Sequence, residues 1–137
     1  MACAFCEIVS GTAPAHVVLD DGVCVAFLDR TPLFEGHLLV VPREHHETLA
    51  DLPVDQVGPL FERVRMLQGV VEQAMRSQGV FVAANNRVSQ SVPHLHVHVV
   101  PRTKGDGLKG FFWPRTRYRD DDHMADVAAR LRAELDG

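Results

Sequence analysis

Between Pro93 and Pro101 the chain reads Pro-His-Leu-His-Val-His-Val-Val-Pro. From His94 to Val99 polar and apolar residues alternate strictly, the period-two pattern of a strand with two unlike faces. Side chains two positions apart leave a strand on the same side. His94, His96 and His98 are therefore expected in one row, with Leu95, Val97 and Val99 turned towards a core. A chain carrying this run needs a sheet packed on one face and kept for chemistry on the other. Pro101 is expected to end the pairing. Two chemistries suit the row. Neutral imidazoles are metal ligands, and three of them can hold a catalytic zinc. Alternatively, one imidazole is a nucleophile that takes up a covalent intermediate while its neighbours position it. A solubility role fits poorly, because lysine or glutamate would serve it better.

The remainder of the chain supplies such a sheet. Two short strands are expected over 16–19 and 23–28, around the hairpin signal Asp21-Gly22. A third is expected over 37–41 and a fourth over 80–84. A main helix over 53–77 carries Val57, Leu60, Val64, Leu67 and Val71 at helical spacing. Pro59 suits only a first turn, and Gly79 is the expected stop. A final helix over 120–135 begins with acidic residues, which suits the helix dipole. Hairpin, strand, helix, two strands and helix make an α+β domain with an antiparallel sheet.

At 137 residues, 46% hydrophobic and 23% charged, one domain over 1–137 is expected, large enough to bury a core. A net charge of −4 gives no reason to expect nucleic acid as a partner. No apolar run approaches the ~20 residues of a membrane span, and the N-terminus lacks the regions of a secretion signal. Three cysteines fit poorly with a disulfide framework. A cytoplasmic location is expected.

Cys3 and Cys6 form a Cys-x-x-Cys. It reads as a redox motif, as two ordinary cysteines, or as half of a zinc site whose other ligands are His45 and His94. A zinc-bound His94 would leave His96 and His98 free for catalysis. Cys24 reads as a small buried residue, and His46 as solvated. Asp29, at a strand end, is either a turn former or a carboxylate that accepts hydrogen bonds from a ligand. His37 is a candidate support for the site. Phe5 and Ile8 are core candidates.

His94 to Val100, together with Phe27-Leu28-Asp29, the run Gly36 to Pro42 and Asn85-Asn86 in the same order, resembles the motifs of the histidine-triad (HIT) superfamily of nucleotide hydrolases and transferases. The likeness covers roughly 5–107. It implies a HIT-like fold with about five antiparallel strands, a main helix and a C-terminal helix, assembled as a homodimer. It also implies that His96 attacks the α-phosphorus of a purine nucleotide, and that water then releases a nucleoside monophosphate. His98, Gln90 and Ser91 would hold the phosphate, with Asn85 beside it. Asp29 would take the ribose, and Phe5 and Ile8 the nucleobase. Cys3, Cys6, His45 and His94 would close a structural Zn2+ site. The loop 85–93 departs from the family pattern in being short and free of glycine.

Pro101-Arg102 with Lys104-Gly105-Asp106 resembles the fragile-histidine-triad branch, which cleaves dinucleoside polyphosphates, as does the tail more faintly. Cys3-x-x-Cys6 resembles the bacterial zinc-containing branch, and phosphoramidates are the other substrate class. Phe111 to Pro114, an apolar knot, would cover the core or reach a partner subunit. Three rival readings stand beside hydrolysis: a nucleotidyl transferase or phosphorylase, a non-catalytic nucleotide-binding adaptor, and a metallohydrolase with zinc on His94, His96 and His98.

Overall fold

A computed structural model describes residues 2–108 and 115–137. Its elements are α1 (Ala4–Ser10), β1 (Val17–Asp20), β2 (Cys24–Leu28), β3 (Leu38–Pro42), a 3-10 turn (Leu49–Asp51), α2 (Val54–Met75), β4 (Gly79–Ala83), β5 (Val97–Arg102) and α3 (Asp121–Asp136). The strands form one antiparallel sheet in the order β1-β2-β3-β5-β4. The α+β architecture expected from the sequence is thus present. By internal contacts the chain divides into two compact units, Met1–Asp106 and Gly107–Gly137. The knot at 111–114 lies outside the described residues. Among the described residues no helix is long and apolar enough to cross a membrane.

In the first unit the sheet is covered on both faces, and so β2 and β3 read as unbroken apolar runs. Ala26, Val40, Val97 and Val99 pack against Leu60, Val64, Leu67 and Val71 of α2. Val25, Phe27, Leu39 and Val41 turn the other way, under Phe5 of α1. The alternation of the histidine run follows this division. Leu95, Val97 and Val99 belong to the α2 side, while the rings of His94 and His96 meet Phe5 on the α1 side.

Several boundaries differ from expectation for identifiable reasons. The histidine strand begins at Val97, not at His94. Its ladder with β3 runs from Leu38↔Val99 to Val40↔Val97 and fails beside Pro42, which has no N–H to give. Leu95 N–H goes instead to the His46 carbonyl, at 2.6 Å. Pro101 does not end the strand, because by that point β5 is paired only with β4, through Val80↔Pro101. The missing N–H falls where no ladder bond is due. Pro59 lies inside α2, half-buried, where it removes the N–H that the carbonyl of the exposed Asp55 would accept. Arg76, not Gly79, ends α2 by adopting φ 54°, and Gly79 opens β4. Helix α1 has no counterpart among the elements expected from the sequence. Cys3 caps it by accepting the Cys6 N–H on its sulfur, and Gly11 closes it at φ 83°.

In the second unit α3 is capped by Asp120, whose carboxylate accepts the His123 N–H at 2.8 Å, with Asp121 and Asp122 in the first turn.

Candidate active site and adjoining metal cluster

Each histidine of the run has one ring nitrogen committed to a fixed partner, and that partner sets the tautomer. His94 Nε2 lies 3.1 Å from the Pro42 carbonyl. A carbonyl only accepts, so Nε2 carries the proton and the lone pair is on Nδ1. His96 Nδ1 lies 2.8 Å from the His94 carbonyl, which puts its proton on Nδ1 and its lone pair on Nε2. For His98 the donor is another ring. The Leu33 N–H donates to His37 Nδ1 at 3.1 Å. The His37 proton is then on Nε2, 2.9 Å from His98 Nδ1. His98 therefore accepts at Nδ1 and presents Nε2–H as a donor. The three rings offer in turn a ligand lone pair, a nucleophilic lone pair and a hydrogen-bond donor.

Burial favours the uncharged form of His98, His94 and His37. It pushes His98 down to about 4, with His96 and His37 acting in the same direction and Asp29 against them. Burial also lowers His94 and His37 below the usual histidine range. His96 and His98 stand with their centroids 5.0 Å apart. Both line a cleft of about 1040 Å³ together with Asp29, Ile8 and Ser91, a volume at the upper end of small-ligand sites.

Asp29, His37 and His98 also bring three donor atoms close together. The tautomers argue against a metal there. His37 Nε2 holds its proton as long as Nδ1 takes the Leu33 N–H, so metal binding would set two donors against each other. What the cluster does hold is a hydrogen-bonded chain from the Leu33 N–H through His37 to His98. Asp29 Oδ2 lies 3.7 Å from His37 Nε2, and Oδ1 accepts the Thr31 N–H at 2.9 Å. Asp29 thus forms a turn and still faces the cleft.

The second cluster has the opposite character. His94 Nδ1 lies 3.5 Å from both Cys3 Sγ and Cys6 Sγ, and Cys6 Sγ lies 3.4 Å from His45 Nδ1. In a tetrahedral zinc site, bonds of about 2.3 Å to sulfur and 2.0 Å to nitrogen give a sulfur–nitrogen edge of roughly 3.5 Å. The donors already stand at that edge length, and the His94 lone pair points at them. Four protein ligands leave no open position, so the residues fit a structural zinc and Zn2+ is plausible here.

A family model described as the HIT domain matches residues 10–105. The chain belongs to the HIT family. An uncharacterized HIT-like protein of Methanocaldococcus jannaschii is 39% identical over 106 residues, 77% of this chain and 82% of its own length. An adenosine 5'-monophosphoramidase of Candida albicans is 29% identical over 139 residues, covering 97% of this chain and 91% of its own. Among solved structures, a zinc-bound histidine triad family protein of Mycobacterium smegmatis superposes with a TM-score of 0.75 at 31% identity, over 100% of this chain and 99% of that one.

Not every residue that the HIT resemblance nominates reaches the cleft. His96, His98, Asp29, Ile8 and Ser91 line it. Gln90 does not. Its amide donates to the Glu47 carbonyl at 2.6 Å and its oxygen accepts the Arg87 N–H at 2.9 Å. Asn85 donates to the Ser89 carbonyl at 3.2 Å, and the neighbouring Asn86 accepts the Leu49 N–H at 2.8 Å. All three amides brace the loop between β4 and the histidine run. Phe5 lines the cleft as well, with 8% of its surface exposed. Arg102 is held bidentate by Asp106, at 2.7 and 3.1 Å, so much of the charge of the basic turn is matched internally. His46 is not solvated: its side chain is 16% exposed, and its Nε2 has no hydrogen-bond partner among the described residues. No residue pattern points to the Leu33 N–H or the Pro42 carbonyl as site groups, since both are main-chain atoms.

Proposed function

We propose that the protein is a nucleotide hydrolase that cleaves at the α-phosphate of a purine nucleoside phosphoramidate or dinucleoside polyphosphate, by way of a nucleotidyl-histidine. The observation that carries this reading is the Nδ1–H bond from His96 to the His94 carbonyl. It leaves Nε2 as an available lone pair on a cleft-lining ring. In the first step Nε2 forms a bond to phosphorus and the bond to the leaving group breaks. In the second, water attacks the same phosphorus and the N–P bond breaks, releasing a nucleoside monophosphate. In this reading the His98 Nε2–H donates to a phosphate oxygen as charge builds on it. Ser91 faces the same cleft and is assigned to the phosphate, Asp29 to the ribose and Ile8 to the base.

The Candida relative's name supports the phosphoramidate class, and the family supports a nucleotide as substrate. Zinc at Cys3, Cys6, His45 and His94 would hold the N-terminus and the histidine run together, with no part in the chemistry. The test is turnover of adenosine phosphoramidate and diadenosine polyphosphates, with and without orthophosphate, by wild type and His96→Ala. Nucleoside monophosphate from wild type alone is expected. Nucleoside diphosphate appearing with orthophosphate would make the protein a phosphorylase, and undiminished His96→Ala turnover would end the assignment.

A further inference from the structure

The ring of Phe5 lines the cleft and packs edge-on against three other rings. It stands at 83° to His96 with centroids 5.0 Å apart, and it meets Phe27 at 5.4 Å and His94 at 6.0 Å, both edge-on. These are the separations of favourable perpendicular aromatic pairs. His96 has two side-chain torsions to fix. The Nδ1–H bond to the His94 carbonyl restrains the turn of the ring, and Phe5 and His98, each 5.0 Å away, restrain its swing.

We infer that Phe5 is a positioning residue for the nucleophile, holding the imidazole so that Nε2 keeps its direction into the cleft. This rests on the hydrolase reading for its kinetic consequence, but not for its geometry. Helix α1 has seven residues, of which only Phe5 is buried, and a helix so short has little stability of its own. Cys3 caps it and Cys6 lies in its first turn, so two donors of the cysteine–histidine cluster and the wedge against the nucleophile share one helical turn. Anchoring of the cysteines thereby reaches His96 by a second route, besides the His94 backbone.

The test is Phe5→Leu, which keeps an apolar side chain and removes the flat ring. With adenosine phosphoramidate, kcat is expected to fall at least tenfold, with KM within about twofold of wild type, since small misplacement of a reacting group costs rate more than binding. A raised KM with unchanged kcat would make Phe5 a wall of the base site and overturn the inference, as would no change in either. If Phe5→Leu fails to fold, Phe5→Met is read on the same two constants. Wild-type protein inactive on every substrate would sink the functional reading instead. Phe5 is then judged from the side-chain 15N resonances of His96: exchange broadening in Phe5→Leu is expected, and an unchanged spectrum overturns it.

Discussion

At the scale of single residues, the site depends on which ring nitrogen of each histidine carries its proton. Backbone carbonyls decide this for His94 and His96, and a backbone N–H decides it for His98 at one remove, through His37. Replacing His37 by phenylalanine keeps a buried ring and removes the donor to His98 Nδ1. His98 is then free to protonate at Nδ1 and lose its donor towards the cleft. A hydrogen bond of about 1.5–3 kcal/mol is at stake, so kcat of His37→Phe is expected to fall roughly 10- to 100-fold. Unchanged kcat would argue against that role for His37.

The same rings set a pH dependence of stability. The folded-state value of His98 lies below that of the unfolded chain, so between about pH 6.5 and 4 the unfolded state binds more protons. Stability from keeping His98 neutral is present above that window and is lost as pH falls through it. For His98 the loss amounts to a few kcal/mol, and His37 is shifted in the same direction. Urea midpoints measured from pH 7 to 4 should fall, and less so in His98→Asn. A flat wild-type profile would contradict the shifts.

At the scale of elements, the loop between β4 and the histidine run holds Arg87 at φ 75° and Ser89 at φ 61°, in the left-handed region where a side chain costs about 1–2 kcal/mol. Three side-chain amides hold it there. Ser89→Gly removes the steric cost but loosens the unfolded chain, so a net gain of about 0.5–1 kcal/mol is expected in a denaturation midpoint. A loss would show that the loop is unstrained. The absence of glycine was legible in the sequence, but the use made of the amides was not. Gln90 is tied to a carbonyl 43 residues away, and no local pattern announces such a bond. Helix α2 and the two-sided β2 and β3 were legible because burial imposes a period or its absence. The start of β5 was not, because the alternation continues through residues 94–96 while their hydrogen bonds pass to other partners.

At the scale of the molecule, the cysteine–histidine cluster joins positions 91 residues apart in the chain, Cys3 to His94. A metal there stabilises the folded state because the unfolded chain has no preformed site. Chelation is therefore expected to lower the Tm of wild type by about 5 °C or more. It should leave Cys6→Ser unmoved, and turnover well below the midpoint should persist. Prompt loss of turnover on chelation, with the fold intact, would favour a metal among His94, His96 and His98 instead.

The most direct measurement of the central claim is the mass of a trapped intermediate. Protein held with a slowly released adenylate analogue, denatured and digested, should carry one nucleotidyl group on the peptide containing His96, sequenced to that residue. The same group found on any other residue would contradict it.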